Sequence, residues 1–368
     1  MFTRYQYLQN NMVLADAGEV SVPIGTNDKI TRLSVTISAQ NGATNNKANV
    51  IPDNVSAIEL VDGSNVILSA TGKELAGILT GRMNTFPNMV ISELPGVTQS
   101  YTWLIDFGRW YNDPNVGLDA SRFKNLQLRI IWNLATIRAT GATGFVSGTG
   151  RLTVLAHIVE GGSDYGAYLG IKRHALFTTA ASGEASIDLP TDKTVRAIAL
   201  RSHEAGVGGL SGLSYLKLQG DEGKIRPIDL TVQDFLDHVV NTYSPIIYHH
   251  DFHTLDAETV YCLLKYREHV TLIASAQDII GQYQTTGIGE GVVEAETAST
   301  GVALAAATPF YGKVTGYLPF STALYTFGDW SDPNTWFDAT VYKTLRFILG
   351  QNNAGANASV LLETLNLY

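Results

Sequence analysis

The chain repeats itself, and the repeat narrows the folds open to it. From Phe107 the sequence reads FGRWYNDPNVGLDASRFKNLQLRI, and from Phe327 it reads FGDWSDPNTWFDATVYKTLRFIL. Phe107, Gly108 and Trp110 recur as Phe327, Gly328 and Trp330. After a one-residue slip, Asp113, Pro114 and Asn115 recur as Asp332, Pro333 and Asn334. In the same register Asp119 and Ala120 match Asp338 and Ala339, Lys124 matches Lys343, and Leu126 matches Leu345. Upstream, Gly18, Glu19, Asp28, Lys29 and Arg32 find counterparts in Gly183, Glu184, Asp192, Lys193 and Arg196. TGKELAGIL from Thr71 lines up with TVQDFLDHV from Thr231, and Leu94-Pro95 with Leu318-Pro319. The ends echo each other too, GTGRLTVLAHIV from Gly148 against GANASVLLETL from Gly355. The stretch between the helix and the Leu-Pro pair is far longer in the second copy, which places an insertion at about 237–312.

Each copy reads as β-rich. Val20, Val22 and Ile24 alternate with polar residues, as do Leu33, Val35 and Ile37, and Leu126, Leu128, Ile130 and Trp132. Leu345, Phe347 and Leu349 repeat the pattern in the second copy. Period-two alternation marks half-buried strands, and the clusters NGATNN, TGATG, SGTG and GVGGLSG separate them. Thr71 with Glu74 forms a capping box and Thr231 with Asp234 a near variant, so each copy starts one short helix at the same place. Short strands around one helix, in units of this size, predict a two-sheet sandwich per copy. The expected divisions are an N-terminal arm over 1–17, a first sandwich over 18–165, a linker over 166–176 and a second sandwich over 177–368.

Composition excludes several classes. Of 368 residues only 16% are charged, and 25 basic against 34 acidic side chains leave a net charge of −9, unsuited to wrapping nucleic acid through phosphates. The lone Cys262 excludes an internal disulfide framework and a CxxC-type zinc site. No run reaches the ~18 apolar residues of a membrane span, and MFTRYQYLQNNMVL lacks the apolar core of a signal peptide.

The carboxylates have structural readings. In each DPN triplet Asp accepts a local backbone hydrogen bond, Pro fixes φ and Asn tolerates the next turn position; Asp119 and Asp338 read as caps of short helical turns. Trp110 and Trp330 read as core anchors beside those turns. Inside the insertion, Ala257 to Glu268 reads as an amphipathic helix capped by Asp256, with Val260, Leu263 and Leu264 on one face. Strand-like runs flank it at Pro245 to Tyr248 and Val270 to Ala274, and Gly281 to Thr308 reads as a loop-dominated excursion. The cluster YHHDFH, with His249, His250, Asp251 and His253, offers imidazoles to a transition metal. No second ligand group stands at diagnostic spacing, so a polar turn accounts for it more simply. GIGEGV at Gly287 lacks the dinucleotide context. A duplicated metal-binding cupin fails because His157 and His174 have no counterparts in the second copy. The reading is therefore non-enzymatic, with no catalytic, cofactor-binding or metal-binding residue and no cofactor.

Two tandem sandwiches in one acidic, cysteine-poor chain, with the duplicated FG-x-W…DPN…DA pattern, a capped helix in each half and an insertion in one, resemble the double jelly-roll major capsid proteins. That family occurs in icosahedral viruses of bacteria and archaea, often with an internal membrane, and in adenovirus-like lineages. The resemblance covers about Gly18 to Tyr368. It implies an all-β fold of two tandem eight-stranded jelly rolls with short helices and a long insertion in the second. It also implies a structural protein of the virion, assembled as homotrimeric pseudo-hexagonal capsomers that tile an icosahedral shell. Its expected partners are further copies of itself, penton or minor capsid proteins and an internal viral membrane, with no sequence-specific nucleic-acid binding. The insertion is then a candidate outer tower or clasp, and the N-terminal residues reach inward or across to a neighbour. Two other readings stay open. A carbohydrate-binding or carbohydrate-active twin sandwich requires Trp103 and Trp336 to be exposed stacking platforms; a trimeric virion spike requires assembly without tiling.

Overall fold

The structure, a computed structural model, describes all residues except 1, 26–27, 162–163, 205–207, 255–257, 277–278, 287–291 and 296–307. The first half contains β1 (Phe2–Val13), β2 (Ala17–Pro23), β3 (Lys29–Gln40), β4 (Val55–Asp62) and β5 (Asn65–Ala70). Helix α1 (Gly72–Met83) follows, then β6 (Thr98–Asp106), β7 (Leu126–Asn133) and β8 (Arg151–Glu160). The second half opens with β9 (Ala167–Thr178), β10 (Gly183–Asp188), β11 (Thr194–His203), β12 (Leu213–Gly220), β13 (Ile225–Thr231) and α2 (Val232–Thr242). The insertion supplies β14 (Ile246–Thr254), β15 (Glu258–Tyr261), β16 (Leu264–Ala276), β17 (Ile279–Thr286), β18 (Val292–Ala295) and the start of β19 (Thr308–Pro319). The second half closes with β20 (Thr322–Thr326), β21 (Leu345–Gln351) and β22 (Asn357–Leu367).

The two halves are built alike. The first stacks a sheet ordered β1-β8-β3-β6 on one ordered β2-β7-β4-β5. The second pairs β9-β22-β11-β20 with β10-β21-β12-β13. Strand for strand these are the same eight positions in the same order, the arrangement of a jelly roll. Leu33, Val35 and Ile37 from β3, Leu128 and Ile130 from β7, and Leu152 and Val154 from β8 are buried in the first core. Ile198 and Leu200, Leu216 and Leu218, Phe347 and Leu349, and Val360 and Leu362 fill the second. Buried side chains alternate with more exposed ones along β7, β8 and β12, as the sequence pattern predicts, whereas β11 and β22 are buried on both faces.

Both helices start where expected. Thr71 Oγ1 accepts the Glu74 backbone N–H at 3.3 Å while the Glu74 carboxylate accepts the Thr71 N–H at 2.8 Å. Thr231 Oγ1 accepts the Asp234 N–H at 3.1 Å. The two helices are buried differently. Leu75, Ala76, Gly77, Ile78, Leu79 and Thr80 of α1 are all buried, whereas α2 buries only Phe235, Leu236 and Val239.

Three sequence expectations change. Within the expected N-terminal arm over 1–17, Phe2–Val13 is a strand that pairs antiparallel with β8 from Phe2↔Glu160 to Val13↔Arg151. Residues 167–176 of the expected linker lie in β9, which pairs with β22 rather than spanning a gap. In both cases the strand carries its contacts through backbone ladders, which side-chain alternation does not reveal. Third, of the helix expected over Ala257 to Glu268, the described part from Glu258 on is not helical: it holds β15, the start of β16 and a turn with Cys262 and Leu263 buried. Thr259, Val260, Tyr261 and Tyr266 favour strands, and pairing with β18 and β19 outweighs a three-residue helical spacing. Asp256 lies outside the described residues. Of the expected loop excursion, Gly281–Thr286 belongs to β17 and Val292–Ala295 is β18, while 287–291 and 296–307 are outside the described residues.

Candidate assembly surface and the junction between the sandwiches

The repeated corners are turn structures. Asp113 Oδ1 accepts the Asn115 N–H at 3.0 Å, and Asp332 Oδ1 accepts the Asn334 N–H at 3.0 Å. Asp119 and Asp338 cap the following single turns through the N–H groups of Ser121 and Thr340. Gly328 has φ +60°, and a Cβ on Gly108 would sit 2.6 Å from the Val116 carbonyl oxygen. Burial opposes ionisation of Asp113, but the Arg109 guanidinium and the backbone N–H groups of Asn115 and Arg109 hold its carboxyl below the usual range. The carboxylates of Asp113, Asp119, Asp332 and Asp338 are thus each engaged by their own corner.

The tryptophans divide. Trp103 is fully buried and donates Nε1–H to the Gly72 carbonyl at 2.9 Å. Trp336 is buried and donates to the Asp329 carbonyl at 2.8 Å. Neither can stack on a sugar, which removes the platforms that the carbohydrate reading requires. Trp110 is no core anchor either: it is 44% exposed, with the Arg109 guanidinium over its ring at 4.3 Å. The corner needs only its turn residues, so the indole is displaced outward. Trp330 is half-buried and lies 3.6 Å under the Arg196 guanidinium.

That contact belongs to the junction between the two halves, which sequence reasoning did not find. Arg82 near the end of α1 and Arg196 on β11 converge on Glu363 of β22, at 3.2 and 3.5 Å. Arg196 also donates to the Arg109 carbonyl at 3.1 Å, and Arg109 reaches across to the Ser331 carbonyl at 3.1 Å. Side-chain exposures of 4%, 0% and 2% for Arg82, Arg196 and Glu363 put three charges in a dry interface. Beside it, β5 and β9 meet in parallel at Ser69↔Lys172, so β2-β7-β4-β5 runs on into β9-β22-β11-β20 as one sheet. Helix α1 packs against β19 and β20. A Cβ on Gly77 would lie 2.3 Å from Thr322 Oγ1 and 2.8 Å from the Pro319 carbonyl oxygen. Gly77→Ala is therefore expected to cost ~1–3 kcal/mol as the junction is forced apart, read by urea denaturation. An unchanged midpoint would mean that the two halves separate freely.

The contact uses unlike surfaces: the β5 edge and helix of the first half meet the β9 edge of the second. The two surfaces left over are β13 with α2, and β1. On β1, Phe2, Tyr5 and Tyr7 are 66%, 62% and 60% exposed, and Ile225 is exposed at the head of β13. The face of α2 corresponding to Gly77 and Ile78 carries Asp237 and His238, polar where α1 is apolar and covered.

The histidine cluster is divided between the two faces of its strand. His249 is exposed and His250 buried, because neighbours on β14 face opposite ways; the side chain of His253 is outside the described residues. Among the described residues no three His, Cys, Asp or Glu side chains are grouped to hold a metal.

His250 and His203 are both held down to about 3, by burial in each case, with Arg201, Lys265 and Lys73 adding repulsion at His203 and Asp53 opposing it. Both are neutral in the folded protein at pH 7, while unfolded histidine titrates near ~6.5. As pH falls below about 6.5 the unfolded chain binds protons that the folded chain refuses, so stability is lost until the pH nears 3. At pH 5 each histidine is expected to cost ~2 kcal/mol. Urea denaturation at pH 7 and pH 5 reads this, and His203→Gln should reduce the difference by about half, leaving the share of His250.

No protein-family model matches the sequence, and no curated protein matches it in sequence. Solved structures match across the whole chain. The STIV MCP aligns with TM-score 0.59 at 12% identity, covering 100% of this chain and 97% of that one. A chain in the atomic structure of Sulfolobus Turreted Icosahedral Virus aligns with TM-score 0.59 at 12% identity, covering 99% and 91%. The major capsid protein P2 from Bacteriophage PM2 aligns with TM-score 0.52 at 11% identity, covering 100% and 98%. The class is thus a double jelly roll, two eight-stranded jelly rolls in tandem. In particular, the chain shares the fold of these major capsid proteins from end to end.

Proposed function

We propose that this chain is a structural major capsid protein, located in the virion, whose three-copy assembly forms a pseudo-hexagonal capsomer. The observation that carries the reading is the junction inside the chain. One jelly roll docks on the next through unlike surfaces, and the complementary pair, β13 with α2 and β1, is left open. A heterologous contact repeated by rotation closes a ring. Three copies, placing β13 of one against β1 of the next, would give six jelly rolls around a three-fold axis, with intermolecular contacts imitating the intramolecular ones. The role is mechanical, with no catalytic step. The low charge fits a protein that buries its flanks against copies of itself, since charged residues are depleted in interface cores. The neighbours that such a capsomer needs are other capsomers, and at the shell's special positions penton or minor capsid proteins, with an internal viral membrane beneath. The sheet built by β14, β16, β17 and β19 in the insertion would rise as the outer tower.

Amide hydrogen exchange tests the edges. In the concentrated protein β1 and β13 are expected to exchange slowly, and on dilution to monomer both should become fast while β3 and β11 stay protected. Rapid exchange in β1 and β13 at every concentration would contradict the ring. A virion spike would also protect the edges but would not tile into sheets.

A further inference from the structure

A cavity of about 250 Å³ lies where the first jelly roll, β11 and the insertion meet. Four cationic side chains line it from separate parts of the chain: Lys73 in the first turn of α1, Arg138 after β7, Arg201 on β11 and Lys265 on β16. Only two carboxylates, Asp53 and Glu93, share the wall. Asp53 is already engaged, with Lys73 Nζ at 3.2 Å and Arg138 Nε at 3.9 Å. Arg138 is further tied to the Asp53 carbonyl at 2.6 Å. Arg201 is not matched in this way. Its Nε–H goes to the Phe320 carbonyl at 3.1 Å, and among the described residues it forms no ion pair with a carboxylate. It is buried, as is Lys265. The same cavity is lined by His250, fully buried, with neither ring nitrogen hydrogen-bonded and Glu93 no nearer than 3.9 Å.

Buried polar groups in native proteins find partners, and buried cations are paired. A guanidinium without a carboxylate, beside an imidazole without a partner, fits an incoming acceptor of negative charge. The excess of cations argues against a metal ion. The volume argues against a nucleic-acid strand or peptide, yet leaves room for a tetrahedral oxyanion with several waters at ~30 Å³ each. We propose that this cavity binds a small inorganic oxyanion, phosphate in class, held by the Arg201 guanidinium and the His250 ring, and that the anion ties the two jelly rolls to the insertion. Arg suits this task because its planar fork presents paired N–H donors to two oxygens of one anion. The inference does not depend on assembly, since every group in it belongs to one chain.

The test is titration calorimetry of the full chain with inorganic phosphate at constant ionic strength, with thermal unfolding in parallel. One saturable site per chain is expected, with Tm rising as phosphate is added, because a ligand of the folded state stabilises it. Sulfate should compete. Arg201→Gln is expected to weaken phosphate binding about tenfold or more, the scale of one charge-assisted hydrogen bond. Lys73→Gln, at the cavity rim and 28% exposed at its side chain, should weaken it too and keeps the test valid if the Arg201 variant does not fold. Heat or Tm changes that match those of a chloride control, or an isotherm that neither variant alters, would overturn the proposal.

Discussion

Glu363→Gln is expected to destabilise the folded chain by ~3–5 kcal/mol, the cost of breaking a buried ion pair from one side. Glu363 stands between Arg82 and Arg196, and all three are buried at the junction of the jelly rolls. Burial pulls Arg196 down to about 9, with Glu363 opposing that shift, so Arg196 remains protonated at pH 7. Removing the carboxylate charge therefore leaves two guanidinium groups facing each other in a dry interface. The network is already short of partners, since Arg196 Nε and Nη1 and Glu363 Oε2 lack hydrogen bonds. The energy thus comes mainly from charge neutralisation, and the amide of Gln cannot replace it. Urea denaturation at pH 7 measures the loss. Replacing all three together, by Arg82→Met, Arg196→Met and Glu363→Leu, should cost much less than Glu363→Gln alone, because no unpaired charge remains. A loss below ~1 kcal/mol for Glu363→Gln would mean that water reaches the junction.

The triple substitution Phe2→Ser, Tyr5→Ser and Tyr7→Ser is expected to convert the assembled protein into single chains of 39.8 kDa. All three side chains are exposed, and of them Tyr5 also packs on the His157 ring at 4.9 Å and meets the Tyr111 hydroxyl at 3.3 Å, so the substitutions together should change monomer stability by only about 1–2 kcal/mol. Three large apolar groups facing outward on a sheet edge are what an interface uses and what a monomer avoids. Ile225→Glu, on the opposite edge at β13, should act in the same direction because it attacks the other half of the same contact. Light scattering at several concentrations reads both. If both variants retain the native mass, the contact between copies lies elsewhere.

Much of the fold was legible because duplication copies turn chemistry and strand pattern together. The DPN corners, the capped helices at Thr71 and Thr231, and the alternating strands around Leu33, Leu128 and Phe347 are local features, and the sequence states local features directly. The first strand was not legible because the outward side of Phe2–Val13 is itself aromatic, which blurs alternation. The misread helix at Ala257 has the same origin in reverse: three apolar residues at helical spacing sit in a segment whose pairing partner, β19, lies some fifty residues away. The junction was beyond sequence reading altogether. Arg82 and Glu363 are 281 residues apart, and only Arg196 carried a hint, as a member of the repeat. Arg32, its counterpart, pairs with Asp106 at 2.5 Å and lies over Tyr111 at 4.5 Å, so the repeated arginine faces an aromatic ring in both halves, but over positions that the repeat does not equate, and with a different acid partner. His250 was visible only as part of a cluster that suggested a metal; strand geometry separates it from His249 and turns it into a buried wall.

The measurement that bears most directly on the account is the solution mass of the purified chain, taken with electron micrographs of the same sample. The account predicts a mass three times that of one chain and particles of hexagonal outline that pack into sheets. A chain that stays single at every concentration, or a trimer that never tiles, would contradict it.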